Sequence, residues 1–308
     1  MFRIRFVMVC VLALFSHFAV ADYRIGVSIA RVDDNFMTYV RAGLQDAAKH
    51  ARVQVQFEDA QGDIVRQLNQ VDGFISQKVD AIIVLPVDTA GTTMISRAAV
   101  AAKVPLVYVN RRPADKVLPK NVVAVASDDI EAGQLQMRFL ADKLGGKGKV
   151  AIIMGDLVND ATQGRTDGVR QVLAEYPQIK LVEQQSAEWQ RHKSMDLTSN
   201  WMLAGTDFDA IIANNDEMAI GAAMALRQGG KARGDILVVG VDGLPDGLAA
   251  IKRGDLAASV FQDPNAQANA AMQAALKLIK GEAVASDVWV PYQLIRPEHV
   301  ALFEQKFK

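Results

Sequence analysis

The stretch Phe208-Asp-Ala-Ile-Ile-Ala-Asn-Asn-Asp-Glu-Met-Ala-Ile-Gly-Ala-Ala-Met-Ala-Leu226 decides the fold, because it joins two different periodicities. The apolar run 210–213 is typical of a buried parallel strand, and apolar residues in 218–226 recur with the spacing of one helical face. Between the two lie three polar residues, Asn214, Asn215 and Asp216. At the end of a parallel strand such side chains can bind a small polar molecule, or they can cap the helix that follows. This stretch alone leaves both interpretations open.

The N-terminus has the pattern of a secretory signal. Arg3 and Arg5 precede an apolar run over 6–20, and Ala21 completes a small-residue cleavage site, so we expect residues 1–21 to be removed. The apolar run is too short for a comfortable membrane span. Cys10, the only cysteine, lies inside this segment. The mature chain is therefore expected to have no disulfide and no cysteine metal ligand.

The composition of the mature chain favours a folded protein of two domains. Removing 21 of the 308 residues leaves 287, enough for two domains of ordinary size. Without Arg3 and Arg5 the balance is 32 basic to 35 acidic residues. A chain this close to neutral has no excess of basic residues for binding nucleic acid or an anionic membrane surface. Hydrophobic residues make up 50% of the sequence, which is ample for a core.

Strands and helices alternate along the chain in two similar rounds. In the first round, strands are expected at 24–30, 53–57, 81–85, 106–109 and 122–126. In the second round, they are expected at 150–154, 180–184, 210–213 and 236–241. The segment Val79-Asp-Ala-Ile-Ile83 is echoed by Phe208-Asp-Ala-Ile-Ile212. We therefore predict an α/β protein with two similar doubly wound lobes, each built on a parallel sheet, and a cleft between them.

The tail beyond the second round is less regular. A strand is expected at 257–261, an amphipathic helix at 267–280 and a last strand at 288–295. The helix has no further strand to accompany in the second round, so we expect it to return to the first lobe. The chain would then cross between the lobes several times, which predicts a hinge of several segments.

Polar and aromatic side chains follow many of the predicted strands. They are Asp33, Asp34, Phe36, Asn110, Arg111, Asn159, Asp160, Arg165, Trp189, Asn214, Asn215, Asp242 and Gln262. A neutral polyol requires this mixture, because each hydroxyl both donates and accepts, and planar carboxylate, amide and guanidinium groups can bind two neighbouring hydroxyls. An aromatic ring can cover the C–H face of a sugar or cyclitol. Caps and surface ion pairs explain single residues, but they do not explain this recurrence.

An enzyme is the alternative from another class, and the sequence supports it weakly. The four histidines have no metal-ligand spacing, and the Gly-x-Ser-x-Gly, Gly-x-Gly-x-x-Gly and Walker motifs are all missing from the sequence. Asp33 and Asp34 are the remaining candidates for acid–base chemistry on a sugar. We assign no catalytic residue, metal or cofactor, and a secreted carbohydrate-acting enzyme stays the second hypothesis.

Two motifs resemble the periplasmic sugar-binding proteins of the ribose-binding type, the secreted components of ABC importers. They are Asn215-Asp-Glu-Met-Ala-Ile-Gly221 and Val238-Val-Gly-Val-Asp-Gly-Leu-Pro-Asp-Gly247. Within that family the chain is most similar to the inositol- and rhizopine-binding members. This similarity rests on Asp33-Asp-Asn-Phe-Met-Thr-Tyr39, Val107-Tyr-Val-Asn-Arg-Arg-Pro113, Ser259-Val-Phe-Gln-Asp263 and Val288-Trp-Val-Pro-Tyr-Gln-Leu294. A DNA-binding repressor of the same core fold is disfavoured, because a signal peptide occupies the place of its helix-turn-helix.

The resemblance implies a type I periplasmic binding protein that closes on one ligand molecule. Its lobes would comprise 22–126 with 263–290 and 127–262 with 291–308. Carried over by position, the ligand contacts are Asp34, Phe36, Met37, Asn110, Arg111, Arg165, Trp189, Asn215, Asp242 and Gln262. Arg111 or Arg165 would hold the Asp242 carboxylate. The implied partners are a polyol or sugar, the ABC permease with its ATPase and, as a further candidate, a chemoreceptor. The implied protein is a periplasmic monomer.

Departures from the ribose-binding members bear on the ligand. Met37 and Val241 stand where those members have aromatic residues, Leu85 replaces an asparagine and Asn110 replaces an aspartate. The loss of ring-stacking area and of one amide argues against ribose. The resemblance therefore implies a polyol with hydroxyls around its whole ring, such as myo-inositol or a derivative, with another monosaccharide as the alternative.

Overall fold

The computed structural model describes residues 23–307, and in it the five strands of the first round form a six-stranded sheet together with one strand from the tail. Its strands are β1 (Arg24–Ile29), β2 (Gln54–Asp59), β3 (Ala81–Leu85), β4 (Leu106–Asn110), β5 (Val122–Ala126) and β11 (Asp287–Trp289). Their order across the sheet is β11-β5-β4-β3-β1-β2, and all neighbours are parallel. The predicted signal, residues 1–21, lies outside the described residues.

The four strands of the second round and two strands from the tail form a second sheet of the same design. Its strands are β6 (Lys147–Met154), β7 (Gln178–Ser186), β8 (Ala210–Ala213), β9 (Leu237–Asp242), β10 (Ala258–Phe261) and β12 (Gln293–Ile295). The order is β12-β10-β9-β8-β6-β7, so each strand occupies the place of its counterpart in the first sheet. Only β12 is antiparallel to its neighbour among the described strands. The prediction of two similar parallel-sheet lobes is confirmed.

Helices cover both faces of each sheet. In the first lobe, the helices are α1 (Asn35–Ala51), α2 (Ile64–Ser76), α3 (Thr92–Ala102) and α9 (Pro264–Ile279). In the second lobe, they are α4 (Asp129–Lys143), α5 (Asp160–Leu173), α6 (Arg191–Leu203), α7 (Asp216–Gln228) and α8 (Pro245–Lys252). The apolar core of each lobe lies between these helices and the almost wholly buried central strands. A short helix, α10 (Val300–Glu304), lies between the single 3-10 turns Pro297–His299 and Gln305–Phe307. Within 23–307 no helix combines the length and apolarity that crossing a bilayer requires.

Two glycines allow α4 and α5 to pack with their backbones in close approach. A Cβ at Gly133 would overlap the carbonyl of Arg165, and a Cβ at Gly168 would overlap the carbonyl of Ile130. Any larger residue at either position would separate the helices. The contact therefore fixes the backbone of Arg165 relative to α4, which begins directly after the first passage between the lobes.

The predicted strand over 288–295 is wrong as a single element. The chain instead forms β11 in the first sheet and β12 in the second, and it passes between the lobes at 290–292. Pro291 has no N–H to donate, which disfavours a continuous strand through this point.

The prediction for the preceding helix is confirmed, because α9 returns to the first lobe and packs against α1 and β3–β5. The chain therefore passes between the sheets after β5, after β10 and after β11. The exact division of residues between the lobes stays a prediction.

Candidate functional site

A cavity of about 730 Å³ lies between the lobes, where the carboxyl ends of strands and the starts of helices from both sheets meet. Its volume falls in the range of small-molecule sites, about 300–1,000 Å³. Seven of the ten predicted site residues line it, namely Asp34, Phe36, Met37, Arg111, Trp189, Asn215 and Asp242. Asn110, Arg165 and Gln262 are not among the lining residues, and their role as direct ligand contacts stays a prediction.

Several polar residues that line the cavity also cap helices. Asp34 Oδ1 accepts the N–H of Met37 at 3.0 Å, and Asn159 Oδ1 accepts that of Ala161 at 3.0 Å. Asn215 Oδ1 accepts the N–H of Met218 at 3.0 Å. The capping interpretation of Asn215 is therefore correct, and it does not exclude a place in the cavity. The cap fixes the rotamer of each side chain, which preorganises the polar atoms of the wall.

The last residues of the equivalent strands β4 and β9 both have a positive φ. Asn110 has φ 70° and Asp242 has φ 122°, and such values are rare for residues other than glycine. Asp242 is only 5% exposed although it lines the cavity. Burial raises the pKa of its carboxyl well above the ordinary value, and the charge of Arg165 opposes that shift. A strained, buried carboxyl in a cavity wall is a candidate for ligand binding.

Arg165 is the cationic partner of Asp242. Its Nη1 lies 3.9 Å from Asp242 Oδ1. Arg111 instead donates from Nη1 to the carbonyls of Pro86 at 2.7 Å and Val87 at 3.1 Å. Burial lowers the pKa of Arg111, and the nearby Asp34 carboxylate opposes that effect. Of the two arginines that the sequence offered for Asp242, the structure therefore selects Arg165.

The Arg165 guanidinium also joins all three passages between the lobes. Its Nε donates to Asp129 Oδ1 at 2.9 Å, and its Nη2 donates to Tyr292 Oη at 3.0 Å and to Gln262 Oε1 at 3.3 Å. Tyr292 in turn donates its hydroxyl to Asp129 Oδ1 at 2.8 Å. Burial alone would lower the pKa of Arg165, but Tyr292, Asp129 and Asp242 outweigh burial and raise it. The guanidinium stays charged, and it ties the cavity wall to the hinge.

Trp189 supplies the aromatic surface of the second lobe. A Cβ at Gly155 would overlap its indole, so the ring lies directly on that glycine. The guanidinium carbon of Arg165 lies 5.6 Å from the ring centroid. Glu188 and Trp189 both have positive φ, 52° and 66°, which marks a strained turn before α6. On the opposite lobe, Phe36 and Met37 are buried at the start of α1.

The sequence analysis missed a charged group at the mouth of the cavity. Arg191 Nε donates to Glu217 Oε2 at 2.8 Å, and its Nη2 donates to Asp246 Oδ2 at 2.9 Å. Asn35 Nδ2 donates to Glu217 Oε1 at 3.1 Å, which joins α1 of one lobe to α7 of the other. Arg191 follows β7 within a few residues, so a wider strand-end window would have included it. Nothing in the sequence distinguishes Glu217 from an ordinary acid in the first turn of a helix.

The pair Asp33 and Asp34 does not form a joint acid–base site. Asp33 Oδ2 lies 2.9 Å from Arg31 Nη2, in an ion pair whose side chains are 69% and 54% exposed, while Asp34 caps α1. The hydrogen bond from Arg31 lowers the pKa of Asp33. Both carboxyl groups therefore have structural partners, and this geometry gives the enzyme alternative no support.

Two like lobes around a polar, aromatic-lined cleft define a protein that holds a small polar molecule between its lobes. Residues 25–283 match the family described as periplasmic binding protein domain, and the chain belongs to this family. A protein of Rhizobium meliloti named for rhizopine binding is 46% identical over 286 residues, which cover 92% of this chain and 93% of that protein. A xylitol-binding protein of Mycolicibacterium smegmatis is 36% identical, covering 92% and 82%.

A solved structure supports the same family membership. An ABC transporter solute-binding protein from Bacillus halodurans, with myo-inositol bound, superposes with a TM-score of 0.88. It is 38% identical in sequence, and the match covers 92% of this chain and 98% of that protein.

Proposed function

We propose that this chain is the periplasmic substrate-binding component of an ABC importer and that it binds a cyclic polyol, myo-inositol or a derivative, in the interlobe cleft. The observation that carries the proposal is the composition of the cavity wall. Carboxylates, amides and guanidinium groups line the cleft together with Phe36 and Trp189. Hydroxyls distributed around a whole ring need donors and acceptors on every side, and two lobes can supply them.

The relatives support the polyol class within this proposal. One related protein is named for rhizopine binding, one binds xylitol, and one solved relative holds myo-inositol. Met37 and Leu85 replace groups that the resemblance assigns to ribose binding. The remaining candidate ligands are ribose and other monosaccharides. A protein that binds one of them would have the same fold and would close in the same way.

The proposed mechanism is closure of the two lobes on one ligand molecule. Arg111 from the first lobe and Asn215 and Asp242 from the second would bind the hydroxyls. Through its hydrogen bonds, Arg165 would couple ligand binding to all three chain segments that form the hinge. Hinge closure around a ligand is the recurrent behaviour of this class of protein. Because the closed form has a different spacing of surface residues, a permease can distinguish loaded from empty protein.

The remaining parts of the proposal concern partners and location. A cleavable signal at 1–21 would deliver the chain to the periplasm, where a monomer would meet the permease and its ATPase. A chemoreceptor is a second candidate for a partner that binds the closed form. The protein would act without catalysis, so incubation with simple glycosides should leave the glycosides intact.

A thermal-shift screen of the mature protein tests the ligand assignment. Inositol isomers, amino-inositols, xylitol, ribose and hexoses are compared, followed by calorimetry on each ligand that raises the midpoint. A ligand at 100 times its Kd adds about 2.7 kcal/mol to the unfolding free energy, which corresponds to a shift of several degrees. We expect a shift with myo-inositol or a close relative and none with ribose. A shift with ribose alone would refute the cyclitol, and no shift with any compound would refute the binding function.

A further inference from the structure

Asp216, the first residue of α7, turns away from the cavity and into the second lobe. It is 3% exposed. Its Oδ2 accepts the backbone N–H of Gly243 at 2.8 Å, and its Oδ1 accepts the hydroxyl of Ser259 at 2.6 Å. Gly243 lies in the turn between β9 and α8, and Ser259 lies in β10. One carboxylate therefore joins the start of α7 to that turn and to the neighbouring strand.

The turn whose N–H Asp216 accepts directly follows Asp242, the last residue of β9. A backbone conformation like that of Asp242, with φ 122°, is strained and persists only where its surroundings enforce it. The N–H of Gly243 belongs to the peptide that follows Asp242. A hydrogen bond to this N–H restrains ψ of Asp242, and with it the direction in which the Asp242 side chain leaves the backbone.

The surroundings of Asp216 are shaped for a small planar group. A Cβ at Gly240 would overlap its Oδ1, and a Cβ at Gly247 would overlap its Oδ2. Burial raises the pKa of the Asp216 carboxyl to about 7. Glu217 adds to this shift, while Arg165 and the hydrogen bonds from Ser259 and Gly243 oppose it. The charge of Asp216 in turn raises the pKa of the neighbouring Asp242.

We infer that Asp216 is a positioning residue for ligand binding, which holds the Asp242–Gly243 peptide so that the Asp242 carboxyl is presented to hydroxyls of a neutral polyol. Asp216 itself does not touch the ligand and acts through Asp242. The inference rests on the proposed function, since it assigns Asp242 to the ligand. The motif that begins at Asn215 would then have two roles, because Asn215 caps α7 and Asp216 positions Asp242.

Three variants separate positioning from general stability. Asp216→Ala removes the acceptor for the Gly243 N–H, whereas Asp216→Asn keeps a carbonyl oxygen at the same place. Ser259→Ala removes the other hydrogen bond of the carboxylate and leaves the contact with Gly243. In calorimetry with myo-inositol, we expect Asp216→Ala to raise Kd at least about tenfold, with the other two variants within about threefold of the parent. Equal Kd values for all four proteins, or equal losses in all three variants, would overturn the inference.

A second measurement needs no ligand. In nitrogen–proton correlation spectra of the mature protein, the Gly243 amide should shift with pH around a midpoint near 7. The shift should persist in Ser259→Ala and be smaller in Asp216→Asn, where the carboxyl of the adjacent Asp242 is the remaining titrating neighbour. A Gly243 amide with the same chemical shift in the parent protein and in Asp216→Ala would refute the contact, even if ligand binds. A parent protein that binds none of the polyols but shows this titration would refute the proposed function and leave the contact with Asp216 intact.

Discussion

At the scale of single residues, the site is built from side chains that perform two tasks. Asp34, Asn159 and Asn215 each use one oxygen to cap a helix, and each also lines the cavity. Asp242 combines a strained backbone with a buried carboxyl beside Arg165. The structural interactions fix the rotamers, so a ligand meets groups that have already lost their conformational freedom.

Removal of the Asp242 carboxyl should weaken binding strongly. Asp242→Ala deletes the acceptor at the end of β9 and leaves Arg165 without one of its anionic neighbours. We expect a loss of at least about 2 kcal/mol, roughly 30-fold in Kd, which is typical of a charged hydrogen bond. Calorimetry with the ligand found in the screen measures the loss. The control is Asp207→Ala, which removes an exposed carboxylate paired with Lys149 and should leave Kd unchanged. An unchanged Kd in Asp242→Ala would remove this residue from the site.

Asp216 should make the stability of the protein depend on pH. Burial raises its pKa from an ordinary 3.8 to about 7, so the folded protein binds this proton more tightly than the unfolded chain does. The unfolding free energy contributed by this group is therefore largest below 3.8 and falls as pH rises towards 7. Asp216→Asn cannot titrate, and its stability should decline less over this interval. Urea unfolding of both proteins across the interval measures the difference, and parallel pH profiles would contradict the assignment.

The limits of sequence reasoning at this scale are visible in Arg165. The strand-end pattern places Arg165 near the site, and the structure puts it beside Asp242 and Trp189. Its partners Asp129, Gln262 and Tyr292 come from three separate segments of the chain. No local pattern shows that these segments converge on one guanidinium. The sequence therefore identifies polar residues at strand ends, but it cannot distinguish the lining of the cavity from the layer behind it.

At the scale of elements, most strands and helices follow from periodicity and turn chemistry. The fully buried strands β3 and β5 coincide with their predicted ranges, because a continuous apolar run that begins after a polar residue and ends at a proline or a polar residue leaves few alternatives. The prediction of one strand over 288–295 was wrong because these residues are divided between two sheets. Where each strand ends is decided by its pairing with neighbouring strands, which the local sequence does not show. Pro291 was the one local signal of this break.

The close packing of α4 and α5 should be sensitive to one methyl group. Gly133→Ala places a Cβ against the carbonyl of Arg165, and we expect overpacking to cost about 1–3 kcal/mol of stability. Gly73→Ala, inside α2, is the matched control, because nothing lies within 4 Å of the added Cβ. The same substitution should stabilise there by about 0.4–1 kcal/mol. Urea denaturation compares the two, and destabilisation of equal size in both would show that the helix contact is not the cause.

At the scale of the whole molecule, the two lobes are alike in topology and are joined by three passages of chain. The alternation of strands and helices is sufficient to predict this architecture, since right-handed crossovers and the echoed segments leave one economical arrangement. The relative position of the lobes, in contrast, does not follow from this alternation. It depends on contacts between residues far apart in sequence, such as Asn35 with Glu217.

The contact between Asn35 and Glu217 should favour the closed form. It bridges the mouth of the cleft at 3.1 Å, and Arg191 holds Glu217 in place from within the second lobe. Opening of the cleft would break the bond between the lobes but not the ion pair. Asn35→Ala therefore removes about 0.5–1.5 kcal/mol from closure. Because apparent affinity scales with the population of the binding-competent form, Kd should rise, by at most about 2- to 12-fold.

Two measurements distinguish a shift in closure from damage to the site. Small-angle scattering of Asn35→Ala without ligand should give a larger radius of gyration than the parent protein, and saturating ligand should restore the parental value, since the groups that bind the ligand are intact. Asn200→Ala, on an exposed position of α6, is the control and should change neither quantity. A rise in Kd by a factor that differs from one ligand to the next would place Asn35 among the ligand contacts instead, because weaker closure raises Kd by the same factor for every ligand. If neither quantity changes, the bond across the cleft mouth contributes nothing to closure, and the energy of closure must come from the ligand and the Arg165 network alone.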